Sequence, residues 1–249
     1  MPRTCWASSL GGCSSKMSGE HVFSECVFTS EFIATEGIAK INPGVRVSRQ
    51  NIKAKILCTT HNERLSELDS EAKKVSDPLR KHWQSRAPRE ARVTVDGWKI
   101  ERWCLKLLHG FIASRWVNDR TFIPAPALVK VVFGEGRLGP SAGLYVVKKP
   151  EPMRPTDLDR IGCIVFHDLN DAGSVTGAYT QVQGLGFVIK PMPGDDPTLS
   201  LRHPLTPSIG GLDWSHAELT HRPASITLAY HRKAWAAHER ARLTIEFTW

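Results

Sequence analysis

From His61 the chain changes texture: Leu65, Leu68, Ala72 and Val75 recur at three- and four-residue steps, the spacing of one helix face. Pro78 lies in this run, where it either interrupts the helix or restarts it. A short extended "ARVTVDG" follows, ending in an Asp-Gly turn signal, and then "WKIERWCLKLLHGFIASRW". There Ile100, Trp103, Leu107, Leu108 and Phe111 form an apolar stripe that predicts a helix from about Lys99 to Arg115. Before His61 the chain is Gly- and Ser-rich, with short extended pieces such as "EHVFSECVF" and "IKAKILC". After "FIPAPAL" the pattern is strand-like. "LVKVVFGEG", "AGLYVVKK", "IGCIVFHDL", "GAYTQVQGLGFVIKP", "ASITLAYH" and "ARLTIEFTW" are β-branched or aromatic-rich and separated by Gly, Pro, Asn and Asp.

This pattern predicts an α+β chain in three parts. Residues 1–75 form a small unit that ends in a helix, residues 76–124 a helical extension, and residues 125–249 a β-rich sheet or sandwich of usual domain size. The boundary is expected near Pro124–Pro126, at "SRAPRE" the chain reads as a connection, and the β-rich part is expected to fold by itself. Neither an internal repeat nor a low-complexity tract interrupts this order.

Composition narrows the class. The chain has 249 residues, 41% hydrophobic and 23% charged, which reads as globular and not as disordered. No apolar run approaches the ~20 residues needed to span a bilayer. "MPRTCWASSLGGC" lacks the apolar segment of a secretory signal, so the expected location is the cytoplasm, with no membrane partner. Six cysteines are too sparse for a disulfide scaffold, which turns attention to metal-ligand spacing. The net charge of +8 is uneven. Residues 1–125 carry 20 Lys/Arg against 13 Asp/Glu, a net of +7, and residues 126–249 carry 13 against 12, a net of +1. A basic half beside a nearly neutral half suggests that the first half meets a polyanion, and a solvated basic surface is the alternative.

Cys5, Cys13, Cys58 and His61 make two pairs far apart in sequence, as four ligands of a structural zinc often do. Cys58-x-x-His61 has tight knuckle spacing. Cys5 and Cys13 are separated by seven residues, so "CWASSLGGC" must loop out between them. Cys26 is a rival fourth ligand, although Val27 and Phe28 beside it suggest a buried position. Cys104 and Cys163 sit in apolar contexts that suit structural thiols. Glu20 and His21 are adjacent, so on a strand they point to opposite sides and can do two different jobs. Phosphodiester hydrolysis needs two such jobs: a divalent ion on the phosphate and a neutral base for the attacking water. Histidine suits the base; a carboxylate and the amide oxygen of Asn62 suit magnesium or manganese. Read alone, a Glu-His pair is a surface ion-pair participant before it is a site.

The order Cys…Cys…Glu-His…Cys-x-x-His-Asn followed by a helix resembles the HNH nucleases of the ββα-metal superfamily, over residues 5–70. The resemblance implies a zinc-stabilised β-hairpin held on a helix and a metal-dependent endonuclease acting on nucleic acid, with DNA expected. It implies His21 as general base, Glu20 and Asn62 as ligands of catalytic Mg2+ or Mn2+, and Cys5, Cys13, Cys58 and His61 as ligands of structural Zn2+. The central Asn of the family name is matched by Asn51 in "RQNIKAKILC". This chain departs from the pattern in its loose first zinc pair and in the His that ends the second. Asp69 lies two helical turns after Asn62, where it either supports the metal site or is solvated.

Basic residues flank this unit: Lys40, Arg46, Arg49, Lys53 and Lys55, then Lys73, Lys74, Arg80, Lys81, Arg86, Arg89 and Arg92. They suit phosphate contacts that carry little sequence information. Two rivals stand beside the nuclease. One is a non-catalytic zinc-knuckle module that binds nucleic acid. The other is an adaptor with a degenerate nuclease unit, whose β-rich part offers a surface to a protein partner or a second copy of the chain. In that part His167-Asp168 reads as a strand-end turn before it reads as an acid-base dyad.

Overall fold

The computed structural model of the chain describes residues 5–28, 30–36, 45–84, 90–115, 125–148, 160–167, 175–191, 218–233 and 238–249. "SRAPRE" up to Arg89, the expected boundary at Pro124, and Lys40 lie outside these residues, as do Asp168 and the side chains of Cys163 and His167. The first elements are β1 (Met17–His21), β2 (Phe32–Glu36), β3 (Arg46–Ser48), β4 (Lys53–Cys58), α1 (Thr59–Arg64) and α2 (Ser66–Trp83). Next come β5 (Glu90–Asp96), α3 (Gly97–Ala113), α4 (Pro126–Val132) and β6 (Gly143–Lys148). The chain continues through β7 (Arg160–His167), β8 (Val175–Val182), β9 (Leu185–Lys190), β10 (Glu218–His221), β11 (Ser225–Lys233) and β12 (His238–Thr248). The fold is mixed α and β, and no described helix is long and apolar enough to cross a membrane.

Three local outcomes differ from the sequence pattern. Pro78 stays inside α2. A proline there costs about 3 kcal/mol, which the buried stripe of Leu68, Ala72, Val75, Leu79 and Trp83 offsets. The Asp-Gly pair is no hairpin turn: Asp96 caps α3, its carboxylate accepting from Lys99 N at 3.1 Å, and the helix begins at Gly97. A side chain at Gly97 would strike the Trp249 ring, 2.7 Å from the position of its Cβ. The expected strand "LVKVVFGEG" is α4 and the turn after it. Pro126 at the first helical position presets the helix, and Val129, Val131 and Val132 are buried, so packing overrides valine's strand preference.

The strands form three sheets among the described residues. β1 pairs antiparallel with β4; a seven-stranded sheet has the order β10-β6-β9-β8-β7-β2-β3; a three-stranded sheet has the order β11-β12-β5. Two of these pairings run across the expected division of the chain. β2 lies parallel to β7, and β12 lies parallel to β5. Helix α3 is buried along nearly its whole length, as a helix apolar on most sides must be. The larger apolar core draws on residues from Cys5 to Phe247, and a smaller cluster of Val147, Phe166, Tyr179 and Val188 lies within the β-rich half. Inside the larger core, the buried carboxylate of Glu101 on α3 takes both arms of Arg222, at 2.9 and 3.1 Å, and the amide of Leu144 at 2.9 Å. Charge pairing of this kind, lost on one side only, leaves an uncompensated buried ion.

The division into a separable β-rich half therefore gives way to one interleaved core. A fragment of residues 126–249 exposes the edge of β12 that β5 covers and the edge of β7 that β2 covers, and strips Arg222 of Glu101. It is expected to aggregate or remain molten on expression, with weak near-ultraviolet dichroism; a cooperative unfolding transition in that fragment would contradict this.

Candidate metal centre

The long gap between Cys5 and Cys13 is closed by local geometry. After Cys5, Trp6 N donates to Ile56 O at 3.0 Å, which lays the chain along β4, and residues Ser8–Leu10 make a short 3-10 turn. Gly11 and Gly12 then adopt φ of 72° and 65°, a left-handed pair that lets the chain double back. Ser14 fixes the return: its hydroxyl is 2.7 Å from that of Thr59 and accepts from Thr60 N at 3.4 Å. Cys58 ends β4 and stands at the N-cap of α1, and His61 follows one turn later.

The ligand atoms of Cys5, Cys13, Cys58 and His61 all lie within 4.8 Å of one another. His61 Nδ1 is 3.4 Å from the sulfur of Cys5, 3.6 Å from that of Cys13 and 3.2 Å from that of Cys58. Tetrahedral zinc with ordinary Zn–S and Zn–N bonds has S···N edges of about 3.5 Å. The donor set and spacing fit such an ion, so the cluster can hold a metal such as zinc. Three of the four ligands are buried and Cys13 is exposed. Burial opposes ionisation of the Cys58 thiol, but the amides of His61 and Ser14 outweigh it and bring its pKa down to about 6. Burial pushes Cys5 up to about 12 and raises Cys13 as well, so metal binding must displace their protons. Cys26 is not part of the cluster: its thiol donates to Asp69 O at 3.2 Å. Cys104 is a buried core thiol.

Around the cluster, Phe133 presents its edge to His61, and Trp6 stacks on His109 of α3 with ring centroids 5.0 Å apart. His109 Nδ1 donates to Leu105 O at 2.7 Å, and burial lowers the ring's pKa from 6.5 to about 4. Because the folded value is depressed, the unfolded chain takes this proton first, so stability falls as pH drops from 6.5 to about 4. The full penalty is on the order of 3 kcal/mol. His109→Phe keeps the stack and removes the titration. Its melting temperature is expected to fall less than the wild type's between pH 7 and 4.5; because both proteins keep the cysteine-histidine cluster, its acid sensitivity cancels in the comparison. Parallel curves would rule this source out.

The Glu-His strand joins the same unit. Glu20 pairs with Ala54 and His21 with Lys53, with an irregularity between Ser18 and Glu20. The side chain of Glu20 lies outside the described residues. His21 closes β1. Its Nε2 is buried without a hydrogen-bond partner among the described residues, and Oε2 of Glu25 lies 3.6 Å away. Burial lowers the pKa of His21; Glu25 opposes this, and Lys53, Arg49 and Lys106 reinforce it. Asn62 donates through Nδ2 to Ser18 Oγ at 3.0 Å. Asn62 thus bonds near the start of β1, and His21 ends the strand three residues after Ser18. Asn51 is exposed in the short turn Arg49–Ile52 that leads into β4, at the His21 end of the hairpin.

Asp69 is a solvated residue neither in its partners nor in its position. Lys106 of α3 donates to both its oxygens at 2.9 Å, and the Ser24 hydroxyl donates to Oδ1. Ser24, Glu25, Lys106 and Gln183 were not among the candidates from sequence. The only local signal is that Ser24 and Glu25 follow His21 closely; the rest are brought in by topology. The basic residues divide as well. On α2, Lys74 pairs with Glu71 and Arg80 with Asp77, and Arg92 pairs with Glu246. Lys53 and Lys55 stand exposed on β4, with Arg46 exposed nearby on β3.

No family model, curated protein or solved structure matches this chain. The likeness to HNH nucleases therefore stays a resemblance carried by residues 5–70.

Proposed function

We propose that this protein is an HNH-like, metal-dependent endonuclease that hydrolyses nucleic-acid phosphodiester bonds, with DNA as the expected substrate. One observation carries the reading: the strand bearing Glu20 and His21 pairs antiparallel with the strand that runs directly into Cys58, His61 and Asn62. Two segments far apart in sequence thereby share one two-stranded unit on a helix, and a Cys3His cluster that suits structural zinc ties the N-terminal loop to the same helix turn. Glu20 and Asn62 are the residues to hold magnesium or manganese. When bound, such an ion supplies Lewis-acid charge for the phosphate and the departing oxygen.

The remaining work falls to the chain. His21 is neutral near pH 7 because burial disfavours its charged form. A carboxylate facing Nε2 favours the tautomer with its proton there, which leaves Nδ1 to accept a proton from water. Asn62 commits its amide nitrogen to Ser18, so its oxygen is the atom that would take a cation. Lys53, Lys55 and Arg46 supply positive charge for the phosphate backbone. The test is incubation of purified protein with plasmid DNA, with and without magnesium or manganese, beside a His21→Ala control. Nicking or linearisation that needs the divalent ion and His21 supports the reading; binding without cutting favours the non-catalytic zinc-knuckle module.

A further inference from the structure

We propose that Ser24 is a positioning residue for His21, tying the end of the histidine-bearing strand to α2 and α3 through Asp69 and Trp103. The inference rests on the nuclease reading above. After His21 the chain leaves the sheet. Val22 N donates to Ile52 O at 3.2 Å, and beyond it Arg49, in the turn before β4, donates to Phe28 O at 3.4 Å and lies 3.9 Å from the Glu25 carboxylate. The next residues turn onto the helices: Phe23 packs on Phe111 of α3, with ring centroids 4.6 Å apart. Ser24 is 2% exposed and is bonded from two directions. Its oxygen accepts from Trp103 Nε1 at 2.7 Å, and its hydroxyl donates to Asp69 Oδ1.

Asp69 is itself fixed by the buried ammonium of Lys106, at 2.9 Å to each oxygen. Its carbonyl accepts from Cys26. The far side of the segment is held by the β8–β9 turn, where Gln183 Nε2 donates to Val27 O at 2.8 Å. Ser24 is thus the hinge of a short turn, Glu25–Val27, that sets the Glu25 carboxylate 3.6 Å from His21 Nε2. A base must be held to within a fraction of an ångström of its productive geometry, and this turn is what holds the ring from the C-terminal side. Trp103, Lys106 and Asp69 lie on two helices outside the β1–β4 unit, so the scaffold that aims His21 is supplied by the rest of the protein.

The test uses the full, zinc-loaded chain on plasmid DNA with magnesium. Ser24→Ala is expected to lower kcat on the order of 10- to 100-fold, with KM and zinc content unchanged to within about twofold. Asp69→Asn keeps an acceptor for the Ser24 hydroxyl but removes the charge beside the buried Lys106 ammonium, so it is expected to lower stability while the folded protein retains most of kcat. In a double-mutant cycle Ser24→Ala and Asp69→Ala should not add, because each breaks the same link. Trp103→Phe, which removes the indole donor and keeps a smaller aromatic ring, serves if Ser24→Ala folds poorly, with a smaller loss of kcat in the same direction. Hydrogen exchange supplies a readout independent of activity: amides of residues 21–28 should exchange faster in Ser24→Ala, and those of 53–58 should not. An unchanged kcat, an effect confined to KM, additive losses, or unchanged exchange at 21–28 would overturn the proposal. Wild-type protein that cuts no nucleic acid would sink the nuclease reading instead, and the exchange comparison would then decide the anchor by itself.

Discussion

Replacing Cys58 by Ala is expected to release the metal and unfold the N-terminal loop. As-purified wild-type protein should carry about one zinc per chain, as a closed four-ligand site does. Cys58 is the ligand shared by everything around it: it ends β4, caps α1, and its sulfur lies 3.2 Å from His61 Nδ1. Without the ion the segment 5–16 is held by the Trp6–Ile56 bond, the Ser14 contacts with Thr59 and Thr60, Thr59 N to Lys16 O, and the packing of Trp6, Ala7 and Leu10. Structural zinc contributes folding energy directly. A loss of ~4 kcal/mol would lower the melting temperature by roughly 10 °C in a chain of this length, and Trp6 fluorescence should shift to that of a solvated indole. Cys26→Ala should keep the metal, because its thiol bonds Asp69 and not the cluster. Well-folded protein that contains no zinc by elemental analysis would remove this account.

The stretches with local chemistry were legible in the sequence. Cys58-x-x-His61 and the apolar stripes of α2 and α3 are set by spacing within a few turns, and the structure gives each its element. The Cys5–Cys13 pair was readable because two glycines sit where the chain must double back. Position along the chain could not reveal what depends on long-range pairing. β2, with β3 on its other side, leaves the β1–β4 pair and joins β7 more than a hundred residues later, and β12 returns to pair with β5. A period-2 pattern says that a segment is a strand and which face is apolar, but not which edge it meets. The valines of α4 misled for the same reason: their strand preference is weaker than a proline at the helix start and a buried face. The solvated reading of Asp69 stayed open because its partner, Lys106, lies 37 residues away on a different helix.

Removing the imidazole of His21 is expected to have the largest effect on activity. His21→Ala should lower cleavage by about 100- to 10,000-fold, the usual loss with a general base. Stability and zinc should hardly change, since Nε2 makes no hydrogen bond among the described residues and no ligand of the cluster is touched. The pH profile separates this from a folding defect. A base acts only when neutral, so the wild-type rate should rise as pH increases through the pKa of His21. Burial sets that pKa below 6.5, and the acidic limb should therefore lie below the ordinary histidine range and vanish in the variant. Asn62→Ala should raise the magnesium concentration needed for cutting while zinc stays bound, because it removes an oxygen donor and no zinc ligand. The two variants then fail differently: one keeps its response to the ion and loses rate at every concentration, the other recovers rate as the ion is raised. A His21→Ala protein that cuts at the wild-type rate, or an Asn62→Ala protein with an unchanged magnesium response, would take the catalytic role away from this strand and helix turn.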